Sequence, residues 1–240
     1  MARIIDAHVH VGFRGKLAGQ TGREIIEKMD RAGVAQAVVF PYTEGTFSNT
    51  PVMEYAKEAP DRLIPFCSIN PWNRKDAYDE LERCLEEGYK GIKLHPSGSG
   101  YRLSDLNLLG PAFELLRQYR CPAIVHGAGD LLNSPTQFAY VCKHFPDVDF
   151  IMAHSGYFWL VDEAIDVARE NENLYLEVSR IPLFEINQII ASVPADHIIW
   201  GTDAPFVEYT EECMKMSKAN CSAADYDLIM GGNIARILGL

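Results

Sequence analysis

Eight short runs of β-favouring apolar residues, each followed by a stretch with helical periodicity, restrict the possible folds of this chain more than any other feature. The runs are Arg3–Val9, Ala35–Phe40, Leu63–Ile69, Gly91–His95, Ala123–His126, Asp149–His154, Leu174–Val178 and His197–Gly201. Several are near-continuous in Val, Ile, Leu and Phe, as expected for parallel strands covered on both faces. Helix signals punctuate the segments between them. Thr21 and Glu24 form a capping box that Gly33 closes, Asn73 stands ahead of a helix ended by Gly88, and Pro111 suits the first position of a third. Ser134-Pro135 opens one more, and Ser222 with Asp225 another. Eight strands alternating with helices is the count of a closed (β/α)8 TIM barrel. A doubly wound open sheet is the competing arrangement, yet Val11-Gly12-Phe13-Arg14-Gly15 lacks the dinucleotide-binding glycine pattern. No repeat or linker interrupts the series, so residues 1–240 are expected to form one domain.

The connections after the first, second and fourth runs are long (Val11–Gln20, Pro41–Thr50 and Pro96–Asn107), whereas the turn into the fourth, Gly88-Tyr89-Lys90, is short. Barrel active sites are built from loops that follow strands, so the working end lies there. The histidines collect at that end. In an extended strand Asp6, His8 and His10 share one face, with Ala7 and Val9 on the other. Two imidazoles one strand period apart are half of a metal site. His95, His126 and His154 end the fourth, fifth and sixth runs, and Asp203 follows the eighth. Each alone reads as a hydrogen-bonded polar residue at a strand end. Five of the seven histidines at one rim, with only His144 and His197 elsewhere, read instead as a metal centre.

A formal charge of -11 argues against nucleic-acid binding, which needs a Lys/Arg excess. No run of about twenty apolar residues exists to cross a membrane. The six cysteines form no Cys-x-x-Cys pair and sit mostly in apolar surroundings, which points to a reducing, cytoplasmic setting.

Asp6-Ala7-His8-Val9-His10, Gly91-Ile92-Lys93-Leu94-His95-Pro96, Val125-His126-Gly127, Ala153-His154-Ser155-Gly156, Gly201-Thr202-Asp203-Ala204-Pro205 and the closing Gly232–Gly239 occur in one order along nearly the whole chain. Together they resemble the amidohydrolase superfamily, in its branch of metal-dependent hydrolases that also holds decarboxylases and hydratases. The resemblance implies that His8, His10, His126 and Asp203 bind one divalent metal, zinc ahead of manganese or iron. Three imidazoles and a carboxylate suit zinc on chemical grounds. It further implies that His154 polarises or protonates the substrate and that Asp203 takes a proton from metal-bound water. The reaction expected is hydrolysis of a small molecule, a metal-bound hydroxide attacking an amide, ester or lactone carbonyl. A lyase, decarboxylase or hydratase, acting on a small carboxylic acid uses the same ligands, and a non-catalytic ligand-binding barrel is the third reading.

Around the ligands, Asp6 is expected to orient the imidazoles and His95 to contact substrate or a ligand instead of the metal. Lys93 is expected either to pair with Glu177 inside the barrel or to meet substrate. Tyr157 stands where the family often has a second glycine and narrows the mouth. Arg14, Arg102 and Arg180 lie on rim loops, where an arginine can pair a substrate carboxylate. Ser97-Gly98-Ser99-Gly100 reads as a lid. The expected partners are a small-molecule substrate and a second copy in a homodimer, with no nucleic acid and no membrane.

Overall fold

A computed structural model describes residues 3–12, 19–43, 47–127 and 129–240. Arg14 lies outside them, as does most of the connection after the first strand. The strands are β1 (Ile5–Val11), β2 (Gln36–Pro41), β3 (Leu63–Pro65), β4 (Cys67–Ser68), β5 (Ile92–Leu94), β6 (Ala123–His126), β7 (Phe150–Ala153), β8 (Leu174–Glu177) and β9 (Ile198–Ile199). They pair in parallel and in chain order, β1 to β3 and β4 to β9. β3 and β4 are halves of one barrel position. The Phe66 amide still reaches Val39 on β2, whereas that of Cys67 reaches Gly91 ahead of β5, so the ladder changes neighbour between them. The circle closes between the two ends of the chain. Ala7 N–H donates to Trp200 O (3.2 Å), Asp203 N–H to His8 O (2.8 Å) and His10 N–H to Ala204 O (2.8 Å). The result is the expected (β/α)8 barrel.

The helices are α1 (Gly22–Ala32), α2 (Thr50–Glu58), α3 (Lys75–Glu86), α4 (Pro96–Ser99), α5 (Leu106–Tyr119), α6 (Pro135–His144), α7 (Val161–Glu170), α8 (Leu183–Ser192), α9 (Tyr209–Met216), α10 (Ala223–Asp227) and α11 (Asn233–Leu238). The Thr21–Glu24 capping box forms as expected. Two helix starts differ. Asn73 lies in a 3-10 turn capped by Asn70, and α3 begins only after Arg74, at φ 50°. α5 begins five residues before Pro111, capped by the Asp105 carboxylate at 3.2 Å from Leu108 N. Proline can be carried inside because the carbonyl it cannot bond, that of Asn107, accepts from Arg74 Nη1 at 3.2 Å.

α5 ends on exposed Arg120 in the left-handed region, φ 54° and ψ 47°. A side chain there costs about 1 kcal/mol relative to glycine. Arg120→Gly is therefore expected to stabilise the protein by roughly 0.5–1 kcal/mol, read as a higher urea midpoint with unchanged slope. A lower midpoint would contradict the assigned conformation.

Apolar side chains form two layers. Ile5, Ala7, Val38, Phe40, Ile64, Phe66, Ile124, Ile151 and Ile199 fill the barrel, and a larger layer seals the sheet against the helices. β1 departs from simple alternation. Its pairing with β2 slips between Asp6 and Val9, so three steps on β1 match two on β2. This bulge reverses the phase of the strand. Ala7 belongs to the barrel interior and Val9 to the outer layer, while His8 and His10 meet the interior ring of Phe40. Asp6 thus does not share their face, contrary to the expectation from strict alternation.

Candidate active site

The bulge aims two imidazoles into the mouth, and the β9–β1 seam brings Asp203 against both. His8 Nε2 lies 3.1 Å and His10 Nε2 3.2 Å from Asp203 Oδ1. Three donor atoms around a zinc ion with bonds near 2 Å stand about 3.3 Å apart, so this cluster has the spacing of a ligand set. All three side chains are buried. Burial opposes charge on Asp203, yet His8 and the His10 hydrogen bond outweigh it and hold the carboxyl well below its ordinary pKa. Burial and Lys93 oppose charge on His8, but Asp203 and Glu177 raise its pKa regardless. The carboxylates that favour a proton there equally favour a divalent cation. His10 is pushed down, chiefly by burial.

Glu177, at the end of β8, organises the inner wall. Its Oε2 takes His8 Nδ1–H at 3.0 Å, the Ser179 hydroxyl at 2.9 Å and the His154 amide at 3.2 Å, while Oε1 takes the Ser179 amide at 2.7 Å. Burial alone would raise its pKa; His8, His154 and the Ser179 amide pull it below the ordinary value. His8, His154 and Glu177 also cluster closely enough for a metal, but four donors already occupy this carboxylate. The set around Asp203 is the better ligand site. Gly201 makes the approach possible: a Cβ there would stand 2.7 Å from Glu177 Oε1 and 2.8 Å from His8 Cβ.

Asp6 turns elsewhere. Its Oδ1 accepts the amides of His8 (2.9 Å) and Thr202 (3.0 Å) and its Oδ2 the Thr202 hydroxyl (2.6 Å). The carboxylate therefore fixes the bulge and the seam through the backbone, where an imidazole-orienting role was expected. Glu177 performs that role for His8. Sequence reasoning placed Glu177 only as a partner for Lys93 and did not single out Ser179. The available signal was a lone acidic residue ending an otherwise apolar run, Leu174–Glu177.

A cavity of about 140 Å³ opens over the cluster, lined by His10, Lys93, His95, His126, His154, Arg180, Asp203 and Phe206. Lys93, fully buried on β5, places Nζ 3.1 Å from His8 Nε2 and 5.0 Å from the centroid of Phe40. His154 Nδ1 lies 2.9 Å from Ser179 Oγ, and burial pushes its pKa down to about 4. Its Nε2 is 3.9 Å from Asp203 Oδ2. His126 lies in the cavity but outside the convergent donor set, stacked on His95 with ring centroids 3.9 Å apart. Burial, then neighbouring imidazoles and Lys93, push both rings down in pKa, His95 to about 3.

Arg180 Nη1 lies 3.1 Å from Asp203 Oδ2, and its guanidinium rests over the rings of Tyr157 and Phe206. Tyr157 OH accepts from Arg180 Nη2 at 3.4 Å, and its ring meets that of His154 with centroids 5.9 Å apart. Arg102 is exposed and is not among the described lining residues. The Ser97–Gly100 run is a helical turn held to its neighbours, not an unattached lid. Ser97 bonds Asp130, Asn133 Nδ2 donates to Ser97 Oγ at 3.0 Å, and Trp72 Nε1 donates to Ser99 O at 2.9 Å. Backbone strain gathers at the same mouth. His154, Arg180 and Asp203 have φ of 64°, 63° and 59°, a conformation costing side-chain-bearing residues roughly 1–2 kcal/mol each.

A family model described as amidohydrolase matches residues 5–240. No match to a curated protein was found. Among solved structures, an uncharacterised TIM-barrel protein from Bordetella bronchiseptica aligns with a TM-score of 0.85 at 23% identity, over 99% of this chain and 98% of its own. The 5-carboxyvanillate decarboxylase of Novosphingobium aromaticivorans, with bound manganese, gives 0.80 at 13% identity over 100% and 97%. The 4-oxalomesaconate hydratase of Rhodopseudomonas palustris gives 0.76 at 18% identity over 98% and 95%. At these identities the likeness is one of fold.

Proposed function

Because the chain belongs to the amidohydrolase family, we propose that it is a metal-dependent enzyme acting on a small carboxylate-bearing molecule at the C-terminal mouth of its barrel. One observation carries this reading: among the described residues the cavity is lined by Lys93, Arg180, four imidazoles and the carboxylate of Asp203. With a divalent cation added, the charge calls for an anionic ligand. The volume, equivalent to about five waters, calls for a small one.

His8, His10 and Asp203 would hold the metal, with His126 the fourth ligand implied by the family resemblance. Bound there, a divalent ion supplies Lewis-acid activation of water or of a substrate oxygen. Glu177 keeps the His8 proton on Nδ1, which leaves the Nε2 lone pair for coordination. Ser179 Oγ donates to Glu177 and so accepts His154 Nδ1–H, which leaves His154 Nε2 as a base. Arg180 balances the second oxygen of Asp203 and is the side chain best placed to pair an incoming carboxylate.

Lyase chemistry, decarboxylation or hydration, fits this charge best and is the reaction class of two of the three structural relatives named above, the decarboxylase and the hydratase. Hydrolysis of an amide, ester or lactone is the second reading, favoured by the position of Asp203, whose carboxylate stands against His8 and His10 where it could take a proton from metal-activated water. Protein loaded with zinc or manganese, offered small aromatic and unsaturated acids beside neutral amides and lactones, separates the two. Release of carbon dioxide or addition of water to an acid supports the first; turnover of neutral compounds alone overturns it. With an acid substrate in hand, Arg180→Gln is expected to raise KM about 10- to 100-fold, the worth of a charge-assisted hydrogen bond. An unchanged KM removes Arg180 from substrate binding.

A further inference from the structure

We infer that Glu212 and Lys215 of α9 are positioning residues for Arg180: they hold its backbone in the left-handed conformation from which the guanidinium reaches Asp203. Arg180 has φ 63°, and its Nη1 lies 3.1 Å from Asp203 Oδ2. Its amide donates to Glu212 Oε1 at 3.1 Å. Lys215 Nζ donates to the same oxygen and to Ile181 O, both at 2.8 Å. On the inner side the Ser179 amide donates to Glu177 Oε1 at 2.7 Å. Backbone groups of three consecutive residues, Ser179, Arg180 and Ile181, are thus each bonded to a charged side chain, two of these from α9.

A left-handed backbone that only had to turn the chain would suit glycine, yet here a residue with a long side chain adopts it. Such a conformation persists where its surroundings over-determine it, and it gathers where the displayed side chain has a task. The task shows in the contacts. From this backbone the guanidinium lines the cavity, meets the second oxygen of Asp203 and rests over Tyr157 and Phe206. Glu212 and Lys215 are not among the described lining residues; they reach the site through the backbone of Arg180 and Ile181. Glu212 is buried, and an amide bonds a buried carboxylate more strongly than a neutral acceptor. With both bonds lost, the backbone of Arg180 relaxes towards negative φ, which re-aims its Cα–Cβ bond and draws the guanidinium off Asp203. Burial pushes the pKa of Glu212 up to about 7 against the pull of Lys215 and the Arg180 amide, with Glu177 adding to the rise, so the carboxylate is mostly charged at pH 8.

This assignment rests on the proposed function only for what Arg180 binds, and its test begins without a substrate. In metal-loaded protein at pH 8, ¹⁵N relaxation of the Arg180 Nε–H bond is expected to give an order parameter above about 0.8. Glu212→Leu together with Lys215→Met removes both α9 bonds without leaving a buried charge. In that double variant the Arg180 value should fall below about 0.6, while the metal content and the order of Arg62, whose Nε donates to Ala35 O at 2.8 Å, stay as in wild type. An unchanged Arg180 overturns the inference, and so does an equal loss of order at Arg62, which marks general loosening. Should the double variant not fold, the wild-type protein still decides: its Arg180 amide is expected to exchange with solvent at least about a hundredfold more slowly than an exposed amide, and rapid exchange overturns the inference. With an acid substrate, the double variant should raise KM about tenfold with little change in kcat, and Glu212→Gln, which keeps an acceptor for the Arg180 amide, should recover most of that loss. Added to Arg180→Gln, the double replacement should raise KM less than about twofold; the same tenfold rise in both backgrounds would mean that α9 does not act through Arg180 and overturns the inference. If no acid is turned over, the proposed function fails while the relaxation and exchange readouts still decide the role of Glu212 and Lys215.

Discussion

Asp203→Asn is expected to cost about a thousandfold or more in kcat/KM and to leave the protein unable to retain stoichiometric metal after dialysis. One oxygen of this carboxylate meets both His8 and His10, and the other meets Arg180. An amide of the same shape removes the negative charge that balances a cation. It must also turn an N–H₂ group either towards two imidazoles with lone pairs to offer a metal or towards a guanidinium. Even outer partners of metal ligands are worth about 10- to 100-fold in affinity or activity, and a direct ligand is worth more. Elemental analysis and steady-state kinetics on the same preparation provide the check. Full occupancy with near-normal turnover would remove Asp203 from the site.

The second large effect is on folding. Glu177→Ala leaves His8 Nδ1–H, the amides of His154 and Ser179 and the Ser179 hydroxyl without their acceptor, all in a fully buried wall. Unmet buried donors cost about 1–3 kcal/mol each, and removing one member of a buried charged pair costs about 3–5 kcal/mol. A loss of about 4 kcal/mol or more in urea unfolding is expected, with Glu177→Gln intermediate because it keeps one acceptor. A loss below about 1 kcal/mol would mean that water replaces the carboxylate and that Glu177 is not the organiser described here.

How much of this was legible depends on the length scale of the signal. Near-continuous apolar runs mark strands buried on both faces, and eight of them exclude most alternatives, so the barrel could be read directly. The rim residues could be read because each ends a run. What could not be read is anything set by a single residue of register. The bulge after Asp6 leaves no trace in hydrophobic pattern, because Ala7 and Val9 are apolar on either face, and so Asp6 was assigned to the wrong side of its strand. The role of Glu177 towards His8 escaped for a different reason: the two are far apart in sequence, and only the barrel brings them together. The start of α5 was misplaced because Pro111 was weighed as a helix opener, when Arg74, from another segment, satisfies the carbonyl that proline leaves free.

The seam between β9 and β1 has a thermodynamic consequence of its own. His8 and His10 come from the first strand and Asp203 from just past the last, so nearly the whole chain lies between the two sides of the ligand cluster. A divalent ion held by all three would act as a cross-link that closes one very large loop. In the chain-entropy model, closing a loop of a hundred residues or more restrains the unfolded state by about 5 kcal/mol, comparable with a disulfide between the ends of the chain. In that respect the ion would be the clasp of the barrel as well as part of its chemistry, and resistance to unfolding and to proteolysis would rise and fall with its supply.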